Sequence, residues 1–125
     1  MEIIAIVSHK YIMHGIGWYF HKSHHSKRKS TFELNDMYFI LFSLPSVYSI
    51  ISGIINTNYY ILSLGIGIFL YGVIYVFLHD ILVHNRFGVK ISINNMYLKN
   101  IRKAHLKHHS NREKDGCTNF GFITY

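Results

Sequence analysis

Residues 37–79 read MYFILFSLPSVYSIISGIINTNYYILSLGIGIFLYGVIYVFLH. These 43 residues contain no Asp, Glu, Lys or Arg. One membrane crossing takes about 20 apolar residues, so the stretch has the length of two. Its polar break is Asn56-Thr57-Asn58, a turn-forming triplet. The expected structure is a helical hairpin, with one membrane helix over 37–55 and a second over 59–78. Pro45 should kink the first helix. The competing reading, a buried hairpin of a soluble protein, fits two adjacent uncharged stretches of this length poorly.

The charges lie outside the hairpin. The chain has 125 residues, enough for one domain over 1–125, and a formal net charge of +7. Lys22, Lys27, Arg28 and Lys29 precede the hairpin, and eight basic residues follow it between Arg86 and Lys114, while the 56–58 loop has none. The positive-inside rule places both flanks in the cytoplasm. Basic residues beside apolar runs fit lipid headgroups, so nucleic acid is not expected as a partner. The single cysteine, Cys117, excludes an internal disulfide and any thiolate-based zinc or iron–sulfur site within the chain.

Before the hairpin, Ser30-Thr31-Phe32-Glu33 has the form of a capping box and is expected to start the first membrane helix. Residues 1–7 are apolar except for Glu2, too short to span and unlike a signal peptide. After the hairpin, 96–109 reads as an amphipathic helix. Leu98, Ile101, His105 and His108 share one face, and Lys99, Lys103 and Lys107 form a separate stripe.

All ten histidines fall on the flanks or at the mouth of the second helix. His9 and His14 form H-x4-H, and so do His79 and His84. His21, His24 and His25 form H-x2-H-H, and so do His105, His108 and His109. Residues at i and i+3 or i+4 share a helical face, so His21 with His24 or His25, and His105 with His108 or His109, can aim at one point. Five residues of an ideal helix rotate by about 140° and rise about 7.5 Å. An H-x4-H pair should therefore serve two metals or sit where a helix ends. Ten imidazoles exceed the needs of one metal, and two metals with four or five nitrogens each would use them all. Imidazole suits zinc, copper, iron and nickel, so the ligand type leaves the metal open. A zinc-storing or zinc-transporting membrane protein is the rival class, but transport needs polar groups near the bilayer midplane, where the hairpin offers only Ser, Tyr and Gly. The expected fold is all-α, an integral membrane helical bundle with a histidine-rich two-metal site on its cytoplasmic side.

Several words of the sequence resemble a known family. They are HKYIMHG (9–15), HKSHH (21–25), FELND (32–36), Tyr71-Gly72, His79-Asp80 with His84, Tyr97-Leu98-Lys99, Ala104-His105 with His108-His109, and Asp115-Gly116-Cys117 with Phe120-Gly121-Phe122. In this order they are similar to the bacterial β-carotene 3-hydroxylases of the fatty acid hydroxylase superfamily. The histidine pattern alone indicates only the superfamily; FELND and DGCxxFGF narrow it. The resemblance implies a non-haem di-iron monooxygenase that hydroxylates carbon 3 of each β-ionone ring, turning β-carotene into β-cryptoxanthin and zeaxanthin. It implies O₂ as co-substrate, reduced ferredoxin as electron donor, and all ten histidines as iron ligands. It also implies a further membrane helix before the first histidine motif, of which this chain would carry a truncated form. A superfamily relative acting on another lipid is the runner-up.

Hydroxylating an unactivated C–H bond needs a redox-active metal, which zinc is not. Glu33, Asn35, Asp36 and Asp80 are candidates to accept hydrogen bonds from the ligating imidazoles. Gly65, Gly67 and Gly72 could leave room for a polyene lined by Tyr71 and Tyr75, with tight helix packing as the alternative. Lys99, Lys103 and Lys107 with Arg102 could dock an acidic ferredoxin, or face headgroups.

Overall fold

The computed structural model describes residues 1–27, 30–89 and 91–125, and all regular structure among them is helical. Its frame is the hairpin of α3 (Asp36–Ile55) and α4 (Tyr59–Tyr75). The turn forms where the sequence places it. Thr57 takes the left-handed conformation at φ +50°, and the Asn58 side chain caps α4 by accepting from the Tyr60 and Ile61 amides at 3.1 and 3.2 Å. α3 continues through Pro45 from end to end.

The helices touch closely at Gly65. A Cβ there would stand 2.7 Å from the Ile50 amide nitrogen, and Ser46 donates to the Gly65 carbonyl at 2.8 Å. Gly65 is thus a helix contact and leaves no room for a polyene; Gly67 and Gly72 face open space. Residues Asp36–Ile55 and Tyr59–Val83 are both long and apolar enough to cross a membrane, with mean hydropathies of 1.8 and 2.4. Only 22% and 11% of their most apolar stretches are buried, whereas a core helix of a soluble protein would be mostly enclosed. Their outward apolar faces suit lipid.

The hairpin is antiparallel, so the start of α3 and the end of α4 lie together, about 30 Å from the turn at the rise of an α-helix. The other elements gather at that end. α1 (Glu2–Val7) runs into a π-helical segment, Ser8–Ile16, followed by the single turn α2 (Trp18–His21). α4 likewise runs into a π-helical segment, Val76–Val83. α5 (Met96–Ser110) is capped by the Asn95 side chain, which accepts from the Tyr97 and Leu98 amides. Its predicted face is the packed one: Ile101, His105 and His108 are buried, and Ile101 joins Leu78 and Leu82 in a small core edged by Ile93, Leu98 and Ile123. The Ser30–Glu33 capping box does not form. Glu33 is drawn to His24, and α3 starts three residues later, with the Asp36 carboxylate accepting from the Glu33 amide at 2.9 Å.

Candidate metal centre

The two H-x4-H pairs lie in or at the end of the two π-helical segments. In a π-helix the amide of residue i+5 bonds the carbonyl of residue i, which stacks i+5 over i. The His84 amide does this to the His79 carbonyl at 3.0 Å, and Gly17 to Ile12 at 2.8 Å. Five residues therefore close a turn here, and each pair serves one cluster. The expectation that a pair spans two metals is corrected; it assumed α-helical geometry. The segments also sit at helix ends, with Gly15 leaving helical geometry directly after His14.

The ten histidines form two clusters of five, in each of which the candidate ligand atoms lie within 4.8 Å of one another. One holds His9, His14, His21, His25 and His108; the other holds His24, His79, His84, His105 and His109. Each H-x2-H-H motif divides. Its i, i+4 pair stays together and its middle histidine crosses to the other cluster. Each cluster thus consists of one H-x4-H pair, one i, i+4 pair and one histidine lent by the opposite motif. Ring contacts join them, with His25 stacked on His109 at 4.4 Å between centroids.

Seven of the rings have a defined orientation, because Nδ1 donates to an acceptor. The acceptors are side chains for His21 (Asn35, 2.7 Å), His24 (Glu33, 3.0 Å) and His79 (Asp80, 2.8 Å). They are backbone carbonyls for His9 (Phe120, 3.0 Å), His14 (Lys114, 2.9 Å), His25 (Asn111, 2.9 Å) and His108 (Thr118, 2.7 Å). A neutral imidazole has one N–H, so each of these Nε2 atoms carries a lone pair.

The Nε2 atoms nevertheless face one another. His9 and His21 stand 3.1 Å apart, His14 and His108 3.1 Å, His21 and His25 3.2 Å, and His24 and His79 2.9 Å. Two acceptors at this distance repel unless a cation lies between them. Nitrogens about 2.1 Å from a shared cation stand roughly 3.0 Å apart at right angles and roughly 3.4 Å apart at the tetrahedral angle. The observed separations are those of nitrogens able to share one cation, and each cluster offers five of them. The donor set fits a redox-active first-row metal and departs from a closed tetrahedral zinc site.

The rings are also held neutral. Burial, the largest influence, pushes His21 down to about 3 and His25 and His108 down to about 4, against opposing hydrogen bonds to Asn35, Asn111 and Thr118. Burial and neighbouring imidazoles likewise lower His24, His105 and His109. Neutral imidazole is the metal-binding form.

Three of the four expected acceptors of imidazole protons are in place. Asp36 is the exception. It pairs with Arg86, which also reaches Asp80 at 3.3 Å and the Thr31 carbonyl at 2.9 Å. Arg86 and the four backbone carbonyls escape sequence reasoning. The carbonyls come from residues 111–120, a segment without regular structure that the DGCxxFGF word runs through. Phe120 walls the first cluster, and Phe122 stacks on His9 at 5.2 Å while its edge reaches His79 of the second cluster at 5.6 Å. Tyr75 stacks on His79 at 4.6 Å. A cleft of about 420 Å³, lined by His24, His25, His84 and His109 with Lys27 and Arg112 at its sides, opens onto both clusters. Lys99, Arg102, Lys103 and Lys107 are exposed on α5.

The fatty acid hydroxylase family profile matches residues 1–125. The chain belongs to the fatty acid hydroxylase family. Within it, the chain is 44% identical to the β-carotene hydroxylase of Pantoea ananas, over 98% of its own length and 70% of the relative's. It is 36% identical to the β-carotene hydroxylase of a Paracoccus species, over 98% of its length and 76% of the relative's. It is 36% identical to the chloroplastic β-carotene 3-hydroxylase 2 of Arabidopsis thaliana, over 91% of its length and 39% of that longer chain. No solved structure matches the chain.

Proposed function

We propose that this chain is a β-carotene 3-hydroxylase, a non-haem di-iron monooxygenase of one domain. It places a hydroxyl on carbon 3 of the β-ionone rings, giving β-cryptoxanthin and then zeaxanthin. The observation that carries the reading is the pair of five-nitrogen clusters in a chain whose curated relatives are β-carotene hydroxylases. His9, His14, His21, His25 and His108 would hold one iron, and His24, His79, His84, His105 and His109 the other. The balance is one ring C–H, one O₂, two electrons and two protons giving one C–OH and one water. Bound iron supplies the oxidising power this bond demands.

The residues of the chain perform the rest. Asn35, Glu33, Asp80 and the four tail carbonyls fix the imidazoles with Nε2 inward, and the anionic acceptors raise the donor strength of His24 and His79. Phe120, Phe122 and Tyr75 shield the His9 and His79 rings from water on the side away from the cleft. The substrate is a hydrocarbon dissolved in the bilayer. Its ring reaches the clusters from the lipid side of the hairpin, where Gly67 and Gly72 leave space. The protein crosses the membrane twice at the hairpin with the clusters on the cytoplasmic side, a reading supported by the basic flanks. Reduced ferredoxin supplies the electrons, attracted by the α5 lysines and the Lys27–Arg112 cleft.

Expression in a bacterium that accumulates β-carotene tests the reading. Zeaxanthin in the pigment extract is the expected outcome. Unchanged β-carotene, with the protein in the membrane and iron supplied, overturns the substrate assignment.

A further inference from the structure

Glu2 is the one charged residue in the apolar opening of the chain, and its carboxylate accepts five hydrogen bonds. Oε1 receives the amides of Phe122, Ile123 and Thr124 at 2.9, 3.0 and 3.0 Å and the Thr124 hydroxyl at 3.0 Å. Oε2 receives the Tyr71 hydroxyl at 2.5 Å. Successive amides converging on one oxygen form an anion nest. The nest is closed by Gly121, where a Cβ would stand 2.3 Å from the Thr124 carbonyl and 2.9 Å from Oε1. One carboxylate thus ties together the helix leading to His9, the second membrane helix and the C-terminal tail.

The tied segment is the one that orients His9. The Phe120 carbonyl receives the Nδ1 proton of His9 at 3.0 Å. The Phe122 ring lies parallel to His9, at 5.2 Å and 10°. His9 and Glu2 stand on one continuous helical run, so the latch holds both the ring and its acceptor. We propose that Glu2 is a positioning residue for the His9 cluster, setting its metal affinity by docking residues 120–124 against His9. The inference rests on the two-metal reading of the clusters.

Cobalt(II) titration of the chelator-stripped, detergent-solubilised chain, followed by visible absorption, separates the possibilities. The unaltered chain should take up two cobalt ions; failure to do so overturns the two-metal reading itself. Given two, Glu2→Ala should weaken one site at least tenfold and the other, which the tail touches only through the Phe122 ring, by no more than about threefold. Glu2→Gln keeps one carbonyl oxygen for the tail amides and should fall between. Should Glu2→Ala fail to fold, Glu2→Gln carries the test by the same one-site loss. Two unchanged cobalt affinities, or a lowered melting temperature with both affinities falling equally, would show a purely structural role and overturn the proposal.

Discussion

His24 and His25 are neighbours in the chain, yet their imidazoles belong to different clusters. His24 Nε2 lies 2.9 Å from His79 Nε2, while His25 Nε2 lies 3.2 Å from His21 Nε2. The same crossing recurs at His108 and His109. Each cluster therefore depends on a backbone turn that also presents an imidazole to the other, and neither can be assembled without bringing its partner's imidazoles close.

This division makes single-ligand variants distinguishable. His24→Ala should lose the metal held with His79 and keep most of the other, and His25→Ala should do the reverse. Both should abolish hydroxylation while remaining in the membrane. Iron per chain, with the spectrum of the surviving ion, checks this. Identical spectra from the two variants would show that the rings share one site.

Asn35 accepts the Nδ1 proton of His21, and Asp80 that of His79. Asn35→Leu and Asp80→Asn should each lower metal affinity by about 10–100-fold, the range for removing such partners. Asp36→Asn should cost less, because Asp36 touches no imidazole and acts on His79 and His24 through Arg86 with Asp80 and through the Glu33 amide. Competition against a chelator of known affinity measures all three.

The histidines also set a pH dependence. An unfolded histidine takes its proton near 6.5, whereas His21 folded does so at about 3 and His25 and His108 at about 4. As pH falls below about 6.5, the unfolded chain gains protons first, so folding stability declines. The stability of the metal-free protein should be full above that pH and drain away toward pH 4 and then 3. Thermal melts of stripped protein from pH 8 to 4 check the sign; a rising melting temperature on acidification would contradict it.

Gly65→Ala should disrupt the hairpin, because the added Cβ meets the Ile50 backbone at 2.7 Å. A cost of about 1–3 kcal/mol is expected for overpacking of this kind. Gly67→Ala, which meets open space, should be nearly neutral. Thermal melts of the two variants in the same detergent supply the comparison.

Much of this arrangement is legible in the residues. The charge-free run and its Asn-Thr-Asn break mark α3 and α4 to within a few residues at most ends, because membrane length and turn chemistry are local constraints. The amphipathic face of α5 is legible for the same reason. The distribution of His24 and His108 to opposite clusters is not, since it depends on how distant segments meet. Of the two alternatives for the H-x4-H pairs, the helix end holds and the bridging of two metals does not, because a 3.6-residue period is the default and the i→i+5 bond at His79 and His84 departs from it. Asn35, Glu33 and Asp80 can be guessed from their polar side chains. The carbonyls of Asn111, Lys114, Thr118 and Phe120 cannot, because every residue owns one. Glu2 is visible as an anomaly in an apolar stretch, but its partners lie at the far end of the chain.

The proposed chemistry depends on ten imidazoles enclosing a pair of ions. Iron X-ray absorption on the reconstituted protein, with the iron-to-chain ratio measured alongside, addresses it directly. Two irons per chain, each with about five nitrogen neighbours and imidazole scattering, is the predicted result. A single iron per chain, or a first shell with fewer than three imidazoles, would contradict it.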